Sequence, residues 1–338
     1  MIGPGEVIMA ADESASTMNK RLQAVGLEPT VGNQEAWRRL IVTAPSLKGV
    51  GAVILYEGTM GQVVGGRLIP QIFAERGIVP GVKLDAGKKE HIGPYGEGIT
   101  YGLDGLYDKL IRYVPLGARF SKWRSELVIG DRTPSRAAIY ANAAGLAQFA
   151  HSCQQADVVP TVEPEILIKG GHDQRRTYRV AREVLSELFE GLYKMGVYIP
   201  GTILKTSMIT PGDKYQGGKA TPEEVARITI DCFLDGELVP REIGGIAFLS
   251  GGLSDLDAVL YLNALNSPES RARAPWRLSA SYGRAEIGEA LEHWRGIPER
   301  VAEAQAIIGE RTKACGLASD GQLPAGFAYE LVAQKPVK

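Results

Sequence analysis

The sequence alternates short runs of β-branched and aliphatic residues with longer helical patterns from one end to the other. This alternation is typical of βα units that build a parallel sheet. The eight candidate strands are EVIMAAD (6–12), AVILYE (52–57), IVPGVKLD (78–85), RFSKWRSE (119–126), VVPTVEPEIL (158–167), TILKTSM (202–208), GIAFLSGG (245–252) and WRLSASYGR (276–284). Eight such strands predict one closed (β/α)8 TIM barrel. The alternative is a doubly wound open sheet, which is disfavoured because no Gly-x-Gly-x-x-Gly motif follows the first strand.

Helical patterns fill the segments between the candidate strands. One begins with Thr221 as N-cap and Pro222 at the first helical position, which is a strong start signal. Another, PERVAEAQAIIGERTKACG (298–316), follows the eighth strand. We therefore expect an α/β barrel with additional C-terminal helices. Residues 1–338 would form one domain, with a C-terminal extension from about residue 317 to residue 338.

The charge balance and cysteine content restrict the classes of partner and compartment. The 38 basic and 39 acidic residues nearly cancel, so no overall field favours nucleic acid or an anionic membrane as a partner. No run of eighteen apolar residues and no signal peptide is visible. The three cysteines are odd in number and far apart, which indicates a reducing compartment. We expect a cytoplasmic protein without nucleic-acid or membrane partners.

The four histidines give a transition metal few ligands, because none of them stands at ligand spacing. We therefore expect no metal site and no cofactor.

Ionisable and anion-binding residues lie near the carboxyl end of nearly every candidate strand, which is the end that carries the working residues of such barrels. They are Asp12, Lys83, Asp85, Lys122, Arg124, Glu163, Glu165, Lys205, Ser250, Gly251, Gly252 and Arg284. Residues two apart on a strand face the same way, so Lys122 with Arg124 and Glu163 with Glu165 can each enter one lumen. A salt-bridged layer that merely closes the barrel mouth is the structural alternative, although apolar residues could close a barrel as well.

Lys205 lies within an apolar strand, where an ammonium is costly to bury. It either pairs with a carboxylate, reaches solvent from the strand end, or is placed there to react.

Two neighbouring strand ends suit a phosphate group. In FLSGG the missing Cβ atoms let backbone N–H groups approach an anion, and in SYGRA the guanidinium of Arg284 matches phosphate oxygens. Phosphate sites after the seventh and eighth strands are common in these barrels.

Several of these segments together resemble the class I, Schiff-base-forming fructose-bisphosphate aldolases. The segments are AADES, KRLQAVG, YGLDGL, SKWRSELVIG, VEPEIL, GTILK, FLSGG and SYGRA, and the resemblance runs from about residue 3 to about residue 316. It implies a barrel that reversibly cleaves fructose 1,6-bisphosphate to dihydroxyacetone phosphate and glyceraldehyde 3-phosphate, in glycolysis or gluconeogenesis. It also implies sugar-phosphate ligands and a homotetramer.

The resemblance also implies roles for single residues. Lys205 would form the imine, with Asp12, Lys122, Glu163 and Glu165 as the other catalytic residues. The ketose phosphate would be held by Ser250, Gly251, Gly252, Gly283 and Arg284. The second phosphate would lie near Ser14, Thr17, Lys83 and Arg124, with Arg21 as a further candidate at the rim.

These roles agree with the chemistry. A protonated imine on Lys205 accepts the electrons of the broken carbon–carbon bond far better than a ketone, so no metal is needed. We expect repulsion from Lys122 to favour a nucleophilic amine, Glu163 to carry protons during carbinolamine formation and loss, and Asp12 to take or position the C4 hydroxyl proton. Glu165 is expected to stabilise the adjacent ammonium.

The chain departs from animal relatives at both ends. Those relatives carry a further helix before the first strand and end in a tyrosine that aids proton exchange, whereas this chain ends FAYELVAQKPVK. Tyr329 is the nearest aromatic residue, and packing is the favoured interpretation of it.

Three other functions remain open. The first is a Schiff-base lyase for another ketose phosphate, such as sedoheptulose 1,7-bisphosphate or fructose 1-phosphate. The second is a phosphosugar-binding scaffold without catalysis, although the lysine, glutamate and aspartate set shows no damage. A zinc-dependent aldolase is the third, and it is disfavoured by the poor set of histidines.

Overall fold

Eight parallel strands form the centre of the computed structural model, which describes residues 1–92 and 96–329. In chain order the barrel strands are β1 (Val7–Ala11), β2 (Val50–Tyr56), β3 (Val79–Lys83), β4 (Phe120–Val128), β5 (Val159–Leu167), β6 (Ile203–Thr206), β7 (Gly245–Phe248) and β8 (Leu278–Tyr282). Each strand pairs in parallel with its neighbours in the chain, and β8 closes on β1. The predicted (β/α)8 barrel is therefore confirmed.

The strands are shorter at most ends than the sequence patterns that predicted them. The pattern at 202–208, for example, yields β6 over Ile203–Thr206 only, and the pattern at 276–284 yields β8 over Leu278–Tyr282. The residues beyond each strand end form the loops at the barrel mouth, and these loops carry most of the predicted site.

Two apolar layers hold the barrel, because residues on each strand alternate between lumen and exterior. One buried cluster fills the lumen. It contains Ile8, Ala10, Ala52, Ile54, Phe120, Ile203 and Ala247. The alternate residues, such as Val7 and Met9, belong to a second cluster that the surrounding helices cover. The lumen cluster lies below the polar side chains at the carboxyl ends of the strands.

Gly81 shows how tightly the lumen is filled. A Cβ atom at this position would lie 2.4 Å from the ring of Phe120, which is fully buried on the adjacent strand β4. Two residues later Lys83 ends β3 on the same face. The glycine therefore lets a large ring plug the lumen directly beneath the polar layer.

Helices surround the barrel. In the described part of the chain they are α1 (Ala15–Ala24), α2 (Val31–Val42), α3 (Glu57–Met60), α4 (Ile69–Glu75), α5 (Leu106–Tyr113), α6 (Arg136–Gln155), α7 (Gln174–Lys194), α8 (Pro222–Leu234), α9 (Asp255–Leu265), α10 (Pro268–Arg273), α11 (Arg284–Trp294) and α12 (Val301–Ala318). Short 3₁₀ helices span Ile199–Gly201, Asp235–Glu237 and Pro298–Arg300. As predicted, Thr221 caps α8, and it forms a capping box with Glu224.

The predicted helix after the eighth strand is present as α12, which packs against α11, α9 and α2. It ends at Ala318. The predicted C-terminal extension therefore begins within its last turn, and residues 330–338 of that extension lie outside the described residues.

Two small hairpins were not predicted. Val63–Val64 pairs with Arg67–Leu68, and Lys88–Ile92 pairs with Glu97–Thr100. The first turns at Gly65 and Gly66, whose φ angles of 57° and 79° match a tight hairpin turn that demands positive φ at both central residues. The Gly-Gly pair was a usable signal, but two-residue strands are too short for an alternation pattern.

Among the described residues, no helix is both long enough and apolar enough to cross a membrane.

Candidate active site

Four predicted residues form one network at the carboxyl ends of the strands, in which three are buried and Asp12 is half-buried. Lys205 lies on β6, Glu163 on β5 and Lys122 on β4, while Asp12 directly follows β1. The side chains of Lys205 and Lys122 are each 5% exposed and that of Glu163 is 4% exposed. All four project from the face of their strand that lines the lumen.

Ion pairs connect these four side chains. The Nζ atom of Lys205 lies 3.1 Å from Oε1 of Glu163, and the Nζ atom of Lys122 lies 3.0 Å from Oε2 of the same carboxylate. Lys122 Nζ is also 2.7 Å from Oδ2 of Asp12. Glu163 therefore lies between the two ammonium groups. Lys205 pairs with a carboxylate, which is one of the alternatives predicted for it.

The charges in this network shift one another's pKa values. Burial alone would raise the pKa of Asp12, but the ammonium groups of Lys122 and Lys205 outweigh it and hold that pKa well below its usual range. The pKa of Glu163 is lowered against its burial by the same two ammonium groups. Burial would lower the pKa of Lys122, yet Asp12 and Glu163 raise it. At neutral pH the site thus holds two carboxylates and at least one fixed ammonium.

A second set of ion pairs lies one step further toward the mouth. The guanidinium of Arg124 contacts Glu165 through Nε, and its Nη2 atom lies 2.9 Å from Oε1 of Glu126. Burial raises the pKa of Glu165, and the charge of Glu163 adds to that rise against the opposing effect of Arg124.

Glu165 forms an ion pair with a guanidinium. It was expected to stabilise the adjacent ammonium, and its ion pair in the described part of the chain is with Arg124. Glu165 lies two residues beyond Glu163 along β5 and is in register with Glu126 of β4, so it lies nearer the barrel mouth than Glu163 does.

The residues expected near the second phosphate lie on the β1, β3 and β4 side of the mouth. Lys83 ends β3, and its Nζ atom lies 2.6 Å from Oδ1 of Asp85. Ser14 caps α1 by accepting a hydrogen bond from the backbone N–H of Thr17. Arg21, one turn further along α1, contacts the carboxylate of Glu13. The structure therefore brings these groups to one side of the mouth, with carboxylates facing both Lys83 and Arg21.

The residues expected around the ketose phosphate lie on the β7 and β8 side. Ser250 follows β7, and the next two residues, Gly251 and Gly252, have φ angles of 45° and 103° that side chains rarely adopt. Gly283 joins β8 to α11, and a Cβ atom there would lie 3.1 Å from the carbonyl oxygen of Ala10. Because β7 and β8 are paired, the two backbone turns lie side by side.

Arg284 opens α11 with an exposed side chain. Backbone N–H groups at a helix start and a guanidinium at the same place together favour an anion.

The sequence and the fold match one family of enzymes. The family model of class-I fructose-bisphosphate aldolase, described as glycolytic, matches residues 1–335. The chain belongs to the class-I fructose-bisphosphate aldolase family.

Named relatives and a solved structure agree with this membership. A probable class 1 fructose-bisphosphate aldolase from Xylella fastidiosa is 42% identical over 95% of this chain and 96% of its own length. Cytosolic fructose-bisphosphate aldolase 4 of Arabidopsis thaliana is 40% identical over 97% of this chain and 84% of its own length. The aldolase of Plasmodium falciparum, solved in complex with TRAP and a small-molecule inhibitor, aligns with a TM-score of 0.91 at 36% identity, covering 96% of this chain and 92% of that one.

Tyr329 packs against the outside of the barrel in this aldolase. The guanidinium of Arg311 lies 3.5 Å from the centre of its ring, and Phe327 meets the same ring edge-on. These contacts support the packing interpretation of this tyrosine.

Sequence reasoning missed three carboxylates around the site. Glu13 and Glu126 neutralise Arg21 and Arg124, and Glu286 is buried at the start of α11. Glu126 was detectable, because it continues the every-second-residue pattern of Lys122 and Arg124. The position of Glu286, two residues after Arg284, gave no comparable signal.

Proposed function

We propose that Lys205 forms the Schiff base in the aldolase reaction of this chain, the reversible cleavage of fructose 1,6-bisphosphate to dihydroxyacetone phosphate and glyceraldehyde 3-phosphate. One observation carries the proposal: Lys205, Glu163, Lys122 and Asp12 form a continuous chain of ion pairs at the carboxyl ends of the strands. A nucleophile beside a proton-transfer group in a buried site is the arrangement that covalent catalysis needs.

Imine formation requires the amine of Lys205 to attack the C2 carbonyl and the resulting carbinolamine to lose water. Glu163 lies 3.1 Å from Lys205 Nζ, which is within reach for taking a proton from the attacking nitrogen and giving one to the departing hydroxyl. Lys122, on the other oxygen of Glu163, would keep that carboxylate in place and balance its charge.

Cleavage breaks the C3–C4 bond after the C4 hydroxyl loses its proton. We assign the removal of that proton to Asp12, because its lowered pKa makes it an anion at neutral pH. The Nζ atom of Lys122 holds it in position, 2.7 Å from Oδ2 of Asp12. The electron pair of the broken bond moves into the iminium group, which gives an enamine and releases glyceraldehyde 3-phosphate. Protonation at C3 and hydrolysis of the imine then release dihydroxyacetone phosphate and restore Lys205.

The two phosphate groups would bind on opposite sides of this centre. Backbone N–H groups of Ser250, Gly251 and Gly252, together with Gly283 and Arg284, suit the C1 phosphate. Lys83, Arg124, Ser14, Thr17 and Arg21 suit the C6 phosphate, and binding there requires the phosphate to compete with the carboxylates that face Lys83 and Arg124. Cationic groups on both sides favour a bisphosphate over fructose 1-phosphate, and a substrate panel that includes sedoheptulose 1,7-bisphosphate would compare the candidates.

We further propose a cytoplasmic homotetramer. The names of the cytosolic Arabidopsis relative and of a 41% identical cytoplasmic isozyme from Spinacia oleracea support the location. Family resemblance alone supports the tetramer, and light scattering at working concentrations tests it.

Borohydride reduction in the presence of dihydroxyacetone phosphate tests the mechanism directly. We expect a single adduct that maps to Lys205 by peptide sequencing. Lys205→Arg keeps the charge but cannot form an imine, so it should lose both adduct and turnover. Lys313→Arg, an exposed lysine on α12, is the matched control. An adduct on another lysine, or near-normal turnover of Lys205→Arg, would remove the proposed mechanism.

A further inference from the structure

A carboxylate that the mechanism above does not use joins two cations at the mouth of the barrel. Glu126 lies on β4 two residues beyond Arg124 and on the same face of the strand. Its Oε1 atom is 2.9 Å from Nη2 of Arg124, and its Oε2 atom is 3.3 Å from Nζ of Lys88. Arg124 is one of the cations proposed for the C6 phosphate, whereas Lys88 lies outside the residues assigned to either phosphate. Glu126 therefore holds a further ammonium beside that site.

The backbone around Lys88 fixes its position relative to Arg124. Lys88 begins the first strand of the larger hairpin and pairs with Thr100 of the second strand. The hydroxyl of Thr100 donates a hydrogen bond to the carbonyl oxygen of Arg124 at 2.7 Å. In addition, the carboxylate of Asp85 accepts hydrogen bonds from the backbone N–H groups of Gly87 and Arg124, at 3.2 Å and 3.3 Å. The base of the hairpin, which carries Lys88, is thus fixed to β4 at Arg124.

The charges around Arg124 show what this ammonium contributes. Arg124 contacts two carboxylates, those of Glu165 and Glu126. These three side chains together carry a net negative charge when they are ionised, and such a charge repels a phosphate group. Lys88 brings the group of four to neutrality. The side chains of Arg124, Glu126 and Lys88 are 37%, 24% and 27% exposed, so a ligand at the mouth can reach all three.

We propose that Lys88 is a further cation for the C6 phosphate and that Glu126 weakens binding of this phosphate by competing for Lys88 and Arg124. A phosphate oxygen accepts hydrogen bonds from charged N–H groups as a carboxylate oxygen does. Attraction by Lys88 and competition by Glu126 therefore act in opposite directions on the same ligand. The inference rests on the proposed role of Arg124 in the aldolase reaction, and it concerns only substrates that carry a phosphate at C6.

The test compares kcat/KM for fructose 1,6-bisphosphate with kcat/KM for fructose 1-phosphate, which has no C6 phosphate. The ratio of the two values does not depend on how much of a variant is folded, because both substrates meet the same active enzyme. We expect Lys88→Met to lower this ratio by about threefold to tenfold, since it removes a partly exposed charge next to the phosphate. Glu126→Gln is nearly isosteric and removes the competing charge, so it should raise the ratio by about twofold to fivefold.

Two further variants and one change of solvent separate charge from structure. Lys88→Arg keeps the positive charge and should stay within about twofold of the wild-type ratio. Lys89→Met is the matched control, because Lys89 is the next residue of the same strand and its Nζ atom lies 4.7 Å from the centre of the ring of Tyr101. It should also stay within about twofold of the wild type. The effect of Lys88→Met should shrink in about 1 M salt, where exposed charges are screened beyond about 3 Å.

The opposite signs of the two substitutions decide the outcome. A ratio that Lys88→Met does not lower, or that Glu126→Gln does not raise, would overturn the proposal, and a fall in both variants would mean that the pair only docks the hairpin on β4. Arg124→Ala separates this failure from failure of the proposed function. If Arg124→Ala lowers the ratio and Lys88→Met does not, only the role of Lys88 is overturned. An equal loss for both substrates in Arg124→Ala would overturn its C6-phosphate role together with this inference.

Discussion

Replacing Lys122 by methionine removes the ammonium that connects Asp12 to Glu163 and keeps a side chain of similar length. Lys122 Nζ lies 2.7 Å from Asp12 and 3.0 Å from Glu163, and its side chain is 5% exposed. At an effective dielectric constant of about 20, each of these attractions is about 6 kcal/mol. Moving the ammonium out of water costs several kcal/mol per ion, and this cost offsets part of the attraction. Breaking such a buried network leaves carboxylates unpaired, so we expect Lys122→Met to lower the free energy of unfolding by about 3 to 5 kcal/mol at pH 7.

The loss of unfolding free energy in Lys122→Met should depend on pH, and the direction of this dependence follows from the pKa shifts of the two carboxylates. In the wild type the pKa values of Asp12 and Glu163 are lowered, so their contribution to stability is present above their unfolded values of about 4 and is lost as pH falls. Without Lys122, burial acts with less opposition and both pKa values rise. The two ionised carboxylates then destabilise the fold at neutral pH. This destabilisation decreases as they bind protons at lower pH. The stability deficit of Lys122→Met should therefore be smaller at pH 5 than at pH 7, by about 1.4 kcal/mol for each pKa unit gained.

Urea unfolding followed by circular dichroism, at pH 5 and pH 7 and one protein concentration, measures both quantities. Lys219→Met is the control, because Lys219 pairs with Asp257 at the surface and such pairs contribute about 0 to 1 kcal/mol. A deficit for Lys122→Met no larger than that of the control, or a deficit equal at both pH values, would refute the account of this network.

Three further variants separate the roles around the centre. Glu163→Gln should lower turnover by about 100-fold to 10,000-fold with a smaller change in substrate binding. Single-turnover and binding measurements test this, and a loss confined to binding would contradict the role of Glu163 in proton transfer. Arg284→Ala should weaken binding of both dihydroxyacetone phosphate and the bisphosphate by about 1.5 to 3 kcal/mol, and unchanged affinities by calorimetry would remove it from the phosphate site. Arg124→Ala should lower kcat/KM for the bisphosphate more than for fructose 1-phosphate; an equal loss would assign Arg124 to supporting Glu165.

The fold was predictable because its pattern is long and repeated. Each barrel strand supplies an apolar run between turn signals. Eight such runs, without a Gly-x-Gly-x-x-Gly motif after the first, favour a closed barrel over an open sheet. Strand ends were less predictable, because hydrophobicity does not stop where pairing stops: Met208 is buried although β6 ends at Thr206.

For the residues proposed as catalytic, the sequence predicted which face of which strand carries each side chain. Alternation alone placed Lys122 and Arg124, and likewise Glu163 and Glu165, on the lumen side. Which residues pair across the lumen was not predictable, because the pairing depends on the stagger between strands and on rotamers. The contact of Arg124 with Glu165 is an example, since the residue in register with Arg124 on β5 is Glu163.

Three glutamates at this end of the barrel show why protonation states are still harder to predict. All three are buried, and burial raises the pKa of each. Glu163 lies between two ammonium groups that reverse this rise, whereas Glu165 has one guanidinium and a neighbouring anion, and Glu286 has only the charge of Lys205 to oppose burial. The number of cations within reach therefore separates an anion suited to proton transfer from an acid that keeps its proton. Because each cation reaches its carboxyl group from another strand or helix, that number depends on the closure of the barrel and not on local sequence.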